Sequence, residues 1–131
     1  MNTRILTGAA FGALLALSAP ALASAADVAN GQALFRQQCG ICHIAGKGDG
    51  EGGQGPSLKG VVGRKPASDE NFGAYTQPLM DATAPWTEAN IAVFLADPQK
   101  VYPGTAMPIR VGSPTDRADL AAYLATIKAA P

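Results

Sequence analysis

Apolar residues recur along this chain at three- and four-residue spacings in three places, each bounded by a helix-start signal. In the first, Val28, Gly31, Phe35, Cys39 and Cys42 trace one face of a helix that Asp27 is placed to cap. In the second, Thr87 reads as an N-cap with Glu88 in the first turn, and Ile91, Phe94 and Leu95 form the stripe. Trp86 and Ile91 sit where a hydrophobic staple would close that entry, and Pro98 stops the helix. In the third, Ser113 caps, Pro114 suits the first helical position, and Leu120, Tyr123, Leu124 and Ile127 make the buried face. A short helix is expected around residues 75–80, an irregular Pro-bracketed loop over 101–111, and a flexible loop over 46–55, GKGDGEGGQG. No segment alternates as a strand would, so the pattern predicts an all-α domain of three main helices joined by loops.

The opening residues stand outside this scheme. Arg4, an apolar run over 5–19 and the small residues of 21–26 read as an export signal, with a cut after Ala23, Ala25 or Ala26. A retained membrane anchor fits less well, because the run is short for a span and ends at Pro20. Residues 1–26 are therefore expected to be a signal peptide and 27–131 one domain, exported to the periplasm and not inserted in a membrane after cleavage. Without Arg4 the chain has nine basic against ten acidic residues, which excludes nucleic acid as a partner on charge grounds. Fifteen glycines, ten prolines and few aromatics leave little to build a core, so a buried cofactor would supply the missing apolar centre.

Candidate chemistry gathers at residues 39–43, CGICH. Two thiols three residues apart followed at once by an imidazole is the spacing by which a c-type haem is attached, with both sulfurs on one side of a turn. His43 would then be the proximal iron ligand. A thioredoxin-like pair would need a βαβ setting, and no β-branched run precedes Cys39. Structural zinc needs four ligands, yet the chain has two cysteines and one histidine. A plain disulfide fits an exported protein but gives His43 no purpose. In the loop that follows, Gly48 stands where a phosphate-cradling motif needs Ser or Thr. Asp49 and Glu51 read as solvated charges, since calcium would need a fuller ligand pattern.

From Gly31 to Ile127 the chain resembles a class I cytochrome c of the mitochondrial and related bacterial type. The motifs that carry the resemblance are Gly31 with Phe35 ahead of CGICH, then GPSLKGVVGRK, Trp86 opening a helix, YPGTAMP, and DLAAYL. The resemblance implies a cytochrome c fold around one covalent haem c on Cys39 and Cys42, in which Gly31 and Phe35 cross Leu120 and Tyr123. It implies Met107 as the sixth iron ligand opposite His43; Met80 is the competitor and lacks the surrounding PGT. Such His/Met ligation raises the reduction potential. It implies that the Pro56 carbonyl accepts the free N–H of His43, and that Arg64, Tyr75, Trp86 and Thr105 bind the haem propionates. Two departures from the pattern stand out: Phe94 where the family often has a tyrosine near the methionine sulfur, and Ala106 where a lysine is usual. The lysines left near the haem edge are mainly Lys47, Lys59, Lys65 and Lys100.

The expected function is thus a non-enzymatic, soluble periplasmic carrier of single electrons in a respiratory chain. As a monomer it would dock transiently with redox partners, a membrane complex, an oxidase or a dehydrogenase. Two rivals remain: a labile Met107 that frees the iron for peroxide or a diatomic gas, and a haem subunit dedicated to one dehydrogenase or oxidase.

Overall fold

A computed structural model describes residues 24–50 and 52–129. The expected export signal, apart from its last three residues, lies outside the described residues, and so does Glu51.

The first helix, α1 (Val28–Leu34), starts where Asp27 accepts hydrogen bonds from Ala29 N at 2.9 Å and Asn30 N at 3.0 Å. It does not run regularly through Cys42 as the spacing predicts. From Phe35 to Cys39 it opens into one π-helical turn, closed by Gly40 N–H on Phe35 O at 2.7 Å. Cys42 and His43 lie in the turn beyond, both donating backbone N–H to Cys39 O. Phe35 and Cys39, four apart and so on one face, are both buried. Val28, in the first turn, is 41% exposed, so the buried face begins at Gly31.

Four more helices follow: α2 (Gln77–Met80), α3 (Glu88–Ala96), α4 (Pro98–Val101) and α5 (Pro114–Thr126). Among the described residues there is no strand, and the fold is all-α. Thr87 caps α3 in a reciprocal box with Asn90, each side chain accepting from the other's backbone N–H. Trp86 packs against the core cluster that holds Ile91 and meets the Phe94 ring at a centroid distance of 5.3 Å. Pro98 ends α3 but also opens α4, because a first-turn residue has no intrahelical use for the N–H that proline lacks. The predicted loop therefore starts after α4. Ser113 caps α5 through Asp116 N at 3.2 Å.

Helix α5 is the spine against which α1 and α3 both pack. At the α1 crossing a Cβ on Gly31 would lie 2.0 Å from Asp119 O, so only glycine allows this approach. That closeness offsets the helix-propensity cost of about 1 kcal/mol that glycine carries. Beside it Phe35 and Tyr123 pack with ring centroids 5.7 Å apart, and Phe35 and Leu120 are fully buried. Burial of each contributes about 2–3 kcal/mol. A carboxylate unseen in the apolar pattern ties the same crossing: Asp119, 2% exposed, accepts from Asp27 N at 2.7 Å and Asn30 Nδ2 at 2.8 Å. Among the described residues, no helix is long and apolar enough to cross a membrane.

Candidate functional site: a haem cavity

The helices do not fill their own centre. Between them and the loop of residues 53–76 lies a cavity of about 360 Å³, walled by Phe35, Leu58, Val61, Ile91, Leu95 and Leu120 among others. Every site residue expected from the sequence lines it: Cys39, Cys42, His43, Pro56, Arg64, Tyr75, Trp86, Thr105 and Met107. Met80 does not line it and is 52% exposed on α2.

Cys39 and Cys42 are free thiols, not joined in a disulfide. Burial, and then the neighbouring Cys42, push the Cys39 thiol up to about 11. His43 is fixed by a hydrogen bond of 2.7 Å between its Nδ1 and Pro56 O. Since a carbonyl only accepts, Nδ1 carries the proton and Nε2 keeps a free lone pair. Burial holds the imidazole pKa below its ordinary value, and the bond to Pro56 opposes that shift. The ring lies against Gly55, where an added Cβ would stand 2.4 Å from His43 Cε1. Gly55 N–H in turn donates to Cys42 O at 2.9 Å. Ser57, which follows Pro56, donates its N–H to Asp69 at 2.7 Å. Burial raises the Asp69 pKa, but the Ser57 and Asn71 N–H groups and Arg64 outweigh it and hold the carboxyl below its ordinary value.

Met107 is half-buried against the core cluster. Its loop is pinned on one side by Thr105, which donates to Tyr102 O at 3.0 Å and accepts from Gln99 Nε2. On the other, Val111 N–H donates to Leu95 O at 2.8 Å. Phe94 lies 9% exposed in the cavity wall, stacked obliquely on Trp86 and Tyr102.

Arg64 and Trp86 are brought together by a backbone exchange, Trp86 N–H to Arg64 O at 2.8 Å and Gly63 N–H to Trp86 O at 2.7 Å. The Arg64 guanidinium donates to Ser57 O at 2.7 Å and Lys59 O at 2.9 Å, but its Nε is buried with no partner. Thr76 Oγ1 is buried and unpartnered in the same way, and Thr76 also lines the cavity. Buried polar groups are rarely left orphaned, so these two mark where an anionic group belongs. Thr76 escaped the sequence reading, since a lone threonine in a loop gives no periodic signal. The Tyr75 hydroxyl oxygen accepts from Asp69 N at 3.1 Å and still has its proton to donate. Burial, and then the nearby Asp69 charge, raise its pKa.

The loop of residues 46–55 departs most from expectation. Asp49 is not a solvated charge: it is 1% exposed and accepts from Arg36 Nε at 2.6 Å, from Gln32 Nε2 and from the Tyr123 hydroxyl. Four glycines of positive φ, Gly48, Gly50, Gly52 and Gly53, let the chain fold back and deliver that carboxylate between α1 and α5. Burial raises the Asp49 pKa, but the bonds from Tyr123, Arg36 and Gln32 outweigh it and hold the carboxyl below its ordinary value. Burial and the bond to Asp49 push Tyr123 up to about 12. No apolar periodicity could announce a polar cluster of this kind.

Two thiols, an imidazole with one nitrogen tied, a thioether, an apolar wall and two unpartnered buried donors are a donor set that fits a haem. Comparison with known proteins agrees. A sequence model of cytochrome c matches residues 28–128. The chain is 38% identical to cytochrome c of Chlamydomonas reinhardtii over 109 residues, covering 82% of this chain and 96% of that one. It is 41% identical to cytochrome c2 of Rhodomicrobium vannielii over 117 residues, covering 88% and 90%. Among solved structures it is similar to cytochrome cH from Methylobacterium extorquens, at TM-score 0.65 and 35% identity over 75% of this chain and 96% of the other. It is also similar to cytochrome c2 from Rhodobacter sphaeroides, at TM-score 0.71 and 27% identity over 81% and 99%. The chain belongs to the cytochrome c family, as a class I member, and with that family carries one covalently attached c-type haem.

Proposed function

We propose that this protein is a periplasmic carrier of single electrons that docks transiently with larger respiratory or dehydrogenase complexes and catalyses no reaction of its own. When bound, the haem supplies an iron that takes up and releases one electron. Everything else is the work of the chain. Cys39 and Cys42 would tether the group through thioethers, and His43 Nε2 and Met107 Sδ would ligate its iron. Pro56 fixes the His43 tautomer and strengthens it as a donor. Arg64, Thr76, Tyr75, Trp86 and Thr105 hold the propionates, and the apolar wall keeps water out, so little solvent must reorganise when charge moves. The observation that carries the reading is the 2.7 Å bond from His43 Nδ1 to Pro56 O, which leaves the other ring nitrogen of a cavity-lining imidazole free for a metal. Its nearly balanced charge and its likeness to bacterial cytochromes c2 support periplasmic electron transfer after export, with residues 1–26 as the leader.

The ligand assignment is tested by a pair of substitutions. Met107→Ala is expected to abolish the methionine-to-ferric-iron charge-transfer absorption and lower the reduction potential, and Met80→Ala to leave both unchanged. Loss in the second variant alone would reverse the assignment.

A second reading, gas or peroxide chemistry at an iron that Met107 releases, is favoured by one feature of the distal loop. Among the described residues, no hydrogen bond reaches the backbone of residues 106–110. Inert ferrous protein under carbon monoxide at neutral pH would dismiss it.

A further inference from the structure

The buried acid Asp49 has no role in the electron-carrier reading, yet its backbone and its neighbour lie directly against the haem-attachment turn. Asp49 O accepts from Ala45 N at 3.4 Å, and Asp49 N donates to Gly46 O at 3.2 Å, so residues 45–49 close on themselves two positions beyond His43. Gly50 then lies on the turn itself: a Cβ there would stand 2.2 Å from His43 O and 2.7 Å from Gly40 O. The side chain of Asp49 meanwhile reaches into both partner helices, to Gln32 and Arg36 from α1 and its extension and to Tyr123 from α5. A carboxylate buried among three donors is held hard, because losing any of them leaves a charge in a dry site. Gly50, the residue after Asp49, packs against the His43 carbonyl and passes the hold on to that backbone.

We infer that Asp49 is a positioning residue for His43: it clamps the turn of residues 40–46 onto the α1–α5 crossing and so keeps the imidazole in the orientation that Pro56 completes. This rests on His43 being the proximal ligand. The charged group facing Asp49 in the clamp is Arg36, which is half exposed; Tyr123 donates as a neutral hydroxyl, its pKa pushed up to about 12. Asp119, at the far end of the same helix pair, ties the start of α1 and does not touch the turn.

The test uses the ferrous holoprotein and follows solvent exchange of the His43 Nδ1 proton and the Gly55 amide proton by NMR. Asp49→Ala is expected to speed both by about tenfold or more, as local opening does when its tie is cut. Asp119→Asn, which loosens the same helix pair elsewhere, is expected to leave both near the wild-type rate at equal distance from the unfolding midpoint. Should Asp49→Ala fail to fold, Arg36→Gln removes one partner from a half-exposed position, and a smaller acceleration of the same two protons is expected. Unchanged exchange in the Asp49 and Arg36 variants, or equal acceleration in Asp119→Asn, would overturn the assignment. A wild-type protein without low-spin six-coordinate spectra would instead sink the ligand reading beneath it, which separates the two failures.

Discussion

The two loops that present the ligand candidates are held very differently. On the His43 side backbone ties recur along the segment: His43 N to Cys39 O, Ala45 N to Asp49 O, Gly55 N to Cys42 O, Leu58 N to Ile44 O, and the imidazole to Pro56. On the Met107 side, ties at Thr105 and Val111 bracket five residues whose backbone bonds to nothing among the described residues. Local stability follows the density of such ties, so the first loop is expected to open at a higher free-energy cost than the second. The contrast suits the chemistry of the two side chains. A rigid imidazole must be aimed, whereas a thioether on a flexible stem finds its place once the loop ends are set.

The sharpest attack on this contrast is at the rigid side. Gly50→Ala puts a side chain at φ +114 and within 2.2 Å of a carbonyl oxygen. A cost of about 3 kcal/mol or more is expected in chemical denaturation, from backbone strain added to overpacking. A loss under 1 kcal/mol would mean that the turn yields easily, and the contrast would fail.

The next effect is read in pH. Tyr123 has its pKa raised from 10.0 to about 12, so between those values the folded state binds a proton that the unfolded state has released. Stability conferred by that proton is complete below pH 10 and is lost as pH climbs toward 12. Denaturation midpoints are expected to fall across this window in wild type, with that fall largely absent in Tyr123→Phe. Identical profiles would show that the Asp49–Tyr123 bond does not stabilise the fold.

The mildest test is at the adaptable side. Gln99 is exposed, yet it takes Gly104 N at 3.1 Å and gives to Thr105 O. Gln99→Ala is expected to cost about 1 kcal/mol globally, the worth of a hydrogen bond or two near solvent. It should also speed carbon monoxide binding to the ferrous protein, if Met107 is the proposed iron ligand and is released more readily. A larger loss of stability without faster binding would place this loop with the rigid one.

Much of this was readable before any fold was known. Asp27, Thr87 and Ser113 announce helix starts because capping is a matter of one side chain and the next three amides. CGICH declares its cofactor by spacing alone, and the resemblance placed the close crossing at Gly31. The apolar stripe of α5 foretold its buried face down to Leu120 and Leu124.

What the chain could not disclose is what depends on meetings between distant segments. The π-helical turn at Phe35–Cys39 changes the period within one continuous run, and helical periodicity has no symbol for it. Asp49 looks like any loop acid until four glycines carry it between two helices, 74 positions from the tyrosine that caps it. Thr76 and Arg64 become a pair only because the cavity leaves one polar atom of each without a partner. Local signals are written in neighbouring residues and survive in the sequence; burial, and the satisfaction of polar groups inside it, is a property of the folded whole.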